Sequence, residues 1–232
     1  MGSEYNGDMM DLGDRMKGYE NVTQIGLCPR TPVVLRLDGR SFHTLTRNME
    51  KPFSNEFIDA MISSAAAVCK EIQGFKLGYV QSDEVNIVFI DYARLNSSGW
   101  FDYKLSKIVS VAAGIMSAHF SRKLGKVGVF DCRAFNMPED EIANYFLWRV
   151  KDWMRNSLNM YAGSFFSHKE LLNKSSTDKH LMLHGVGGNW AELDLRLRNG
   201  SWIMRDLIVS ADWFATYGAI DSLLNRDSWR VE

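Results

Sequence analysis

Cysteines and long apolar runs are scarce in this sequence of 232 residues. Its three cysteines, Cys28, Cys69 and Cys132, lie far apart and form no C-x-x-C pair, which argues against both a disulfide framework and a thiolate zinc site. No stretch approaches the roughly 18 consecutive apolar residues that a membrane-spanning helix needs. Residues 1–14 are polar and acidic, unlike a signal peptide. We therefore expect a soluble, cytoplasmic protein that has no membrane partner.

An excess of one charge is also lacking, because 27 Lys and Arg residues oppose 28 Asp and Glu residues for a formal net charge of -1. This balance excludes a histone-like polycation. Residues 100–135 and 149–180 are locally basic, so either segment can contact phosphates, and a solvated helix face explains each of them equally well. At this length one large domain with a few appended elements is expected, because a compact chain buries roughly 70% of the surface that its unfolded form exposes.

Apolar patterning predicts the element order β-α-β-β-α-β. Strands are predicted at 32–37, 77–81, 85–90 and 127–130, and amphipathic helices at 54–74 and 103–120. This is the ferredoxin-like arrangement, an α+β fold whose first and third strands are neighbours in one antiparallel sheet. After it, we expect a helix from Pro138 to about Ala162, a shorter helix opened by a capping box of Ser167 and Glu170, and a short hairpin at 201–209.

Two acidic residues that are distant in the sequence are predicted to meet at one edge of this sheet. Asp38 follows the first strand and Asp83 precedes the third, and neighbouring antiparallel strands bring these two ends side by side. Close carboxylates in a pocket need a cation, and Mg²⁺ prefers carboxylate oxygens together with substrate phosphates. Two such ions can activate a hydroxyl and stabilise phosphoryl transfer. A strand-end cap and a polar turn explain the spacing alone equally well, and the fold order favours the metal.

The residues next to these acids are candidates for holding a triphosphate. Gly39 lets the backbone approach closely, and consecutive amide groups in such a loop can surround phosphate oxygens. Lys51 and Lys107 are the cations that we expect on those oxygens, because a phosphoryl-transfer site must balance more charge than two metals supply. The alternatives are an ordinary turn and two surface lysines.

Other candidate sites have weaker support. His180 and His184 have a spacing that can hold zinc, but no third ligand is evident. No G-x-S-x-G elbow of a serine hydrolase occurs. The aromatic residues Phe146, Trp148 and Trp153 recur at helical spacing and are expected in the core, since base stacking would require them to be exposed.

Four segments resemble the tRNA(His) guanylyltransferase superfamily, whose members extend RNA in the 3′-to-5′ direction. These segments are Leu35–His43 (LRLDGRSFH), Gln81–Glu84 (QSDE), Phe130–Arg133 (FDCR) and Tyr145–Arg149 (YFLWR). The similarity extends from about Gly13 to about Val209. It implies a polymerase-like palm domain with an N-terminal arm at 1–138, and a C-terminal helical extension at 139–232 that packs on the palm as one compact unit.

The resemblance also implies roles for individual residues. Asp38, Asp83 and the Gly39 carbonyl would bind two Mg²⁺ ions, and Glu84 would assist the two catalytic aspartates. The nucleoside triphosphate, ATP or GTP, would contact Asp38, Gly39, Arg40, Ser41, Phe42, His43, Ser82 and Asp83, with Lys51 and Lys107 on its phosphates. RNA phosphates would contact Arg133, Arg149, Arg155, His168 and Lys169. Members of the family form tetramers, so the implied partners are tRNA, nucleoside triphosphates and further copies of this chain.

One departure concerns the branch of the family. Members that recognise tRNA(His) carry a His-Ile-Asn-Asn segment after the Trp-Arg motif, where this sequence has Met154-Arg155-Asn156-Ser157. The missing histidine makes the sequence similar to the guanylyltransferase-like branch, which repairs 5′-truncated tRNA by templated addition after ATP or GTP activates the 5′ phosphate. Addition of one G to tRNA(His), a palm-type nucleotidyl cyclase and a non-catalytic RNA-binding module are the alternatives.

Overall fold

The computed structural model describes residues 11–92, 95–205, 207–210 and 216–224. The strands are β1 (Val33–Gly39), β2 (Phe75–Gln81), β3 (Glu84–Phe89), β4 (Phe130–Asn136), β5 (Ser201–Met204) and β6 (Leu207–Val209). The α-helices are α1 (Leu12–Asn21), α2 (Phe42–Leu45), α3 (Asn55–Glu71), α4 (Leu105–Leu124), α5 (Ile142–Ala162), α6 (His168–Leu171), α7 (Ser176–Gly185), α8 (Leu195–Asn199) and α9 (Tyr217–Leu224). None of these helices is long and apolar enough to span a membrane.

The strands form one antiparallel sheet in the order β4-β1-β3-β2-β5-β6. The predicted α+β fold with the ferredoxin-like element order is confirmed, and so is the hairpin that extends it. β1 and β3 are neighbours, with Asp38 opposite Glu84. β4 lies on the other side of β1, with Asp131 opposite Asp38. The register therefore places several carboxylates at one end of the three strands.

The two faces of the sheet bury separate apolar clusters, because side chains alternate along each strand. On one face, Leu35 and Ile87 pack with residues of α3 and α4. On the other face, Val34 and Tyr79 pack with Phe146 of α5. The helices on both faces hold the strands in the register that determines which side chains meet at the sheet end.

Four buried phenylalanines anchor the segment that follows β1. The ring of Phe42 lies 4.9 Å from that of Phe130, 5.2 Å from that of Phe120 and 5.9 Å from that of Phe57. A Cβ added at Gly128 would lie 2.4 Å from the Phe120 ring, so that a larger residue at this position would displace the cluster. These contacts tie the chain next to Asp38 to α3, α4 and β4.

The strand predicted at 127–130 instead begins at Phe130 and continues to Asn136. Ser121 of α4 explains the later start. Its hydroxyl accepts a hydrogen bond from the Gly128 N–H at 3.0 Å and donates to the Gly128 carbonyl at 3.2 Å. The backbone there is thus paired with a helix side chain rather than with a strand.

The helix boundaries also differ from those predicted. The helix predicted at 103–120 is α4, which begins at Leu105 because residues 101–103 have positive φ angles, and which ends where Gly125 adopts a φ of 68°. The helix predicted from Pro138 begins with one 3₁₀ turn before α5. The capping box of Ser167 and Glu170 is confirmed.

The aromatic cluster generates a stability prediction. Phe120→Ala should lower the free energy of unfolding by about 3–5 kcal/mol, because it removes a fully buried ring and leaves a cavity. Val127→Ala is the control, since Val127 is 82% exposed and its truncation should change stability by less than about 0.5 kcal/mol. Urea denaturation measures both variants. Equal midpoints for the two would contradict the assigned role of the cluster.

Candidate active site

Asp38 and Asp83 lie together at the end of the central strands, as expected. Asp38 belongs to the end of β1, and Asp83 belongs to the two-residue turn between β2 and β3. The Gly39 N–H donates a hydrogen bond to the Asp83 carbonyl at 3.0 Å, which joins the two segments directly. Ser82 allows the tight turn by adopting a φ of 47°. Residues 45 positions apart are thereby held side by side by backbone contacts.

Ionising both aspartates in this position is unfavourable. Burial raises the pKa of Asp38 above its ordinary value; the carboxylates of Glu84 and Asp131 raise this pKa further, and the Arg36 guanidinium lowers it part of the way. Burial also raises the pKa of Asp83, and Asp38 adds to the rise. A cation at this sheet end would relieve the repulsion and the desolvation cost of both groups.

The donors at this sheet end fit a magnesium ion. Two carboxylates and the nearby Gly39 carbonyl are hard oxygen ligands, and Mg²⁺ needs few protein ligands because it retains water and substrate phosphate oxygens. Within the described ranges, no group of three or more His, Cys, Asp or Glu side chains is arranged to hold a metal ion. Binding would therefore depend on oxygens that the substrate supplies.

Glu84 lies in a buried ion-pair network rather than at the open sheet end. Its carboxylate accepts two hydrogen bonds from Arg149, at 2.7 and 2.9 Å, and pairs with Arg36 at 2.6 Å. It also accepts hydrogen bonds from the side-chain amides of Gln81 and Asn86, at 3.0 and 2.7 Å. Both of its oxygens are engaged, so a direct role of Glu84 at the metal, as expected from the sequence, does not fit this arrangement.

Arg149 is likewise misplaced for the RNA contact that we expected. Its side chain is 7% exposed and pairs with both Glu84 and Asp152. Because its donors already face two carboxylates inside the protein, Arg149 is a structural partner of Glu84. The other expected RNA contacts, Arg133, Arg155, His168 and Lys169, are exposed.

A cavity of about 300 Å³ lies beside Asp83, between the segment after β1, the start of α3, and α5. Five of the residues expected at the nucleotide line this cavity, namely Phe42, His43, Lys51, Ser82 and Asp83. The ring of Phe42 also belongs to the buried phenylalanine cluster. The fold therefore gathers residues from three separate segments around one space next to the aspartates.

The cavity wall includes polar groups without a hydrogen-bond partner in the described part of the chain. These are the side-chain carbonyl of Gln81 and the indole N–H of Trp153. The orientation of the Gln81 amide follows from its neighbour, because a carboxylate can only accept and the Gln81 NH₂ must face Glu84. Both atoms are buried behind the cavity surface, where an unpaired polar group costs about 1–3 kcal/mol.

Lys107 is not part of this site. It lies in the first turn of α4. This end of the helix is close to the start of β1, because the Arg30 N–H, just before β1, donates to the hydroxyl of Tyr103, just before α4, at 3.3 Å. Ser117 of the same helix accepts a hydrogen bond from the Phe130 N–H near the Asp38 end. Ten residues of helix separate Lys107 from Ser117, which corresponds to about 15 Å. The predicted contact of Lys107 with the triphosphate does not fit this position.

The remaining expected nucleotide contacts lie on the segment after β1. Arg40 and Ser41 are exposed there, and the Arg40 N–H donates to the Val129 carbonyl at 2.8 Å. Two features were missed from the sequence. Asp131 lies opposite Asp38 and follows from the strand pairing once β4 is placed beside β1. Trp148 is 54% exposed, whereas Trp153, at 5%, is in the core as expected.

Comparisons with known proteins agree with the geometry. The family model described as tRNAHis guanylyltransferase matches residues 13–138. A tRNA(His) guanylyltransferase of Schizosaccharomyces pombe is 29% identical over 214 residues, which cover 81% of this chain and 78% of that protein.

Two solved structures show the same similarity. A bacterial tRNA(His) guanylyltransferase (Thg1)-like protein in complex with ATP is 33% identical, with a TM-score of 0.87 over 93% of this chain and 100% of that chain. A bacterial protein of the same description in complex with GTP is 37% identical, with a TM-score of 0.75 over 83% of each chain.

The paired aspartates generate a metal-binding prediction. Asp38→Asn and Asp83→Asn should each weaken Mn²⁺ binding at least about tenfold, because each substitution removes an anionic ligand. Calorimetric titration of Mn²⁺ in the presence of a non-hydrolysable GTP analogue, which supplies the phosphate oxygens, measures the affinity. Asp102→Asn is the matched control, since Asp102 is exposed, lies before α4 and has a φ that Asn tolerates. Wild-type affinity in either aspartate variant would contradict the assigned metal position.

The buried ion pair generates a second prediction. Arg149→Met should lower the free energy of unfolding by about 3 kcal/mol, because it leaves the Glu84 carboxylate buried and only partly paired. Arg155→Met, at a side chain that is 63% exposed, should cost less than about 1 kcal/mol. Guanidinium denaturation measures the free energy of unfolding of both variants. An equal decrease in both would show that the buried Arg149–Glu84 pair stabilises the fold no more than an exposed arginine does.

Proposed function

This chain belongs to the tRNAHis guanylyltransferase family of nucleotidyltransferases, and we propose that it adds nucleotides to the 5′ end of truncated tRNA under the direction of a template. The observation that carries this proposal is that Asp83, which the Gly39 N–H ties to the end of β1 next to Asp38, lines a cavity that Lys51 also lines. Membership of the family favours nucleotidyl transfer over the cyclase and the RNA-binding module considered from the sequence.

The cavity beside Asp83 is the proposed nucleotide site. ATP and GTP, which bind the two similar bacterial proteins, would place their phosphates against Lys51 and the segment after β1. The aspartates then lie at the phosphate end of the bound nucleotide.

The proposed reaction has two steps. A 5′-monophosphate is first activated by transfer of AMP from ATP, which releases pyrophosphate, whereas a 5′-triphosphate is already activated. The 3′-hydroxyl of an incoming nucleoside triphosphate then attacks the activated 5′ phosphorus, and the bond to AMP or to pyrophosphate breaks. The leaving group is therefore carried by the growing RNA end and not by the incoming nucleotide.

The protein's own part in these steps is to hold the metal ions and the substrates and to neutralise the phosphate charge. Asp38 and Asp83 would hold two Mg²⁺ ions, which when bound would favour the deprotonated hydroxyl and balance charge on the phosphates. Lys51 would balance further phosphate charge. Pairing with the opposite RNA strand would choose the base, so the protein need only position the triphosphate and the RNA backbone. The proposal includes the homotetramer that the resemblance implies.

Met154 supports templated repair over obligatory G addition. It stands where members that recognise tRNA(His) carry a histidine, and its partly buried side chain packs against two apolar clusters. A thioether cannot donate a hydrogen bond to a phosphate or a base. Asn156, two residues later, donates to Asp152 at 3.3 Å and so engages the ion-pair network.

The proposal predicts a defined product. A tRNA that lacks its first 5′ nucleotide should gain the nucleotide complementary to the opposite strand, whichever base that strand presents, and labelled nucleoside triphosphates detect the addition. A 5′-monophosphate should require ATP, and a 5′-triphosphate should not. Asp38→Asn should reduce the rate at least about 100-fold, because charge stabilisation of the transition state is lost. Addition of G alone, regardless of the template base, would instead support the guanylyltransferase alternative.

A further inference from the structure

Trp148 is exposed on a helix in which Tyr145, Phe146 and Trp153 are buried. Its exposed fraction is 54%, whereas Phe146 and Trp153 of the same helix are 0% and 5% exposed. A single exposed apolar residue is common in proteins and needs no explanation by itself. What distinguishes Trp148 is the support behind its ring and the charge beside it.

The Trp148 ring is held by two neighbours. The guanidinium carbon of Arg149 lies 4.5 Å from the ring centroid, and the ring of Tyr145 meets it edge-on at 5.9 Å. Both neighbours are held in place by hydrogen bonds to β3, because Arg149 donates to Glu84 at 2.7 Å and the Tyr145 hydroxyl donates to Asn86 at 2.5 Å. Little conformational entropy would be lost if a planar ligand stacked on this ring.

Positive side chains continue from Trp148 along the same side of α5. Lys151 and Arg155 follow at the i+3 and i+7 positions, which share one helix face with Trp148. Lys151 is exposed and forms no hydrogen bond or ion pair within the described ranges. The Arg155 side chain is 63% exposed and pairs with Asp152. We refer to Trp148, Lys151 and Arg155 as the α5 stripe.

The α5 stripe begins beside the candidate active site. Arg149, which touches the Trp148 ring, bonds directly to Glu84, and Glu84 is the residue opposite Asp38 in the sheet. A strand of RNA whose end reaches Asp38 can therefore pass over Trp148 and the two basic residues.

We propose that the α5 stripe binds the unpaired template nucleotides of a 5′-truncated tRNA, with Trp148 stacking on a base and Lys151 and Arg155 contacting the neighbouring phosphates. The inference rests on the proposed function, because only a template-directed enzyme needs to hold unpaired nucleotides opposite the missing 5′ end. Bases within a duplex are already stacked and are not available to a side chain, whereas single-stranded bases are.

The composition of the stripe favours RNA over a protein partner. Aromatic side chains next to cationic ones are typical of surfaces that bind single-stranded nucleic acid, where each stacked base contributes about 1–3 kcal/mol. Tryptophan and arginine are enriched in protein–protein interfaces as well, whereas lysine is depleted there. The exposed Lys151, one turn from Trp148, is therefore the residue that favours a nucleotide over a second folded surface.

The test compares Trp148→Ala with Trp148→Phe on two RNAs. The RNAs are a tRNA that lacks its first 5′ nucleotides and the same tRNA with a complete, paired 5′ end, and fluorescence anisotropy of a 3′-labelled RNA gives the Kd. Trp148→Ala should raise the Kd for the truncated tRNA by about tenfold to 100-fold, and for the paired tRNA by less than about threefold. Trp148→Phe should restore binding to within about threefold of the wild type, because an aromatic face remains.

Further measurements separate stacking from other roles. Lys151→Gln should make the dependence of log Kd on log salt shallower by about one ion. Tyr19→Ala, at an aromatic residue that is 71% exposed outside the stripe, is the control and should bind as the wild type does. The Kd for ATP should be unchanged in all of these variants, and light scattering should give the same oligomer for all of them.

The outcomes distinguish this inference from the proposed function. If the wild type repairs truncated tRNA and Trp148→Ala binds it equally well, the stacking role is wrong and the proposed function stands. An equal loss on both RNAs, or a change of oligomeric state in Trp148→Ala, would also overturn the stacking role. A wild-type protein that binds neither RNA would overturn both proposals.

Discussion

Negative charge is concentrated where β1 ends and β3 begins, and the surrounding structure is organised around that charge. Asp38, Asp83, Glu84 and Asp131 all lie at this end of the sheet. Strand pairing, and not local sequence, brings them together, so the repulsion is a property of the fold. Two solutions are visible. Glu84 is neutralised internally by Arg36 and Arg149, whereas Asp38 and Asp83 retain raised pKa values that an external cation would lower.

The carboxylates therefore have two different roles: Glu84 supports the structure, whereas Asp38 and Asp83 are the proposed metal ligands. Glu84 is adjacent to Asp83 in sequence, but it lies in a strand and faces α5, whereas Asp83 lies in the turn. One residue of difference therefore changes the environment from a closed ion-pair network to an open sheet end. The same network orients the amide of Gln81 and thus determines which of its polar atoms is left unpaired in the cavity wall. The Glu84 carboxylate thus both stabilises the strands under the site and orients a side chain that lines the nucleotide cavity.

The sequence was sufficient for features that depend on periodicity and strand order. The meeting of Asp38 and Asp83 follows from two apolar runs and an antiparallel connection, and no side-chain detail is needed. Features that depend on three-dimensional partners were not accessible. The burial of Arg149 requires knowing that α5 crosses above Glu84, and the position of Lys107 requires knowing which end of α4 faces the aspartates. Helical spacing alone places Trp148 in the core, because it does not show that this side chain is exposed beside Arg149.

Arg149 touches Glu84 on one side and the Trp148 ring on the other, and this double contact has a consequence for anyone who wishes to redesign the enzyme. A change at that guanidinium would disturb the chemical machinery and the neighbouring surface together, so its effects would be hard to separate. The exposed Trp148 ring and Lys151 have no contact with Glu84, so changes there would affect mainly the surface. Variant libraries that aim at new RNA targets should therefore change the exposed positions of the α5 stripe and keep Arg149 unchanged.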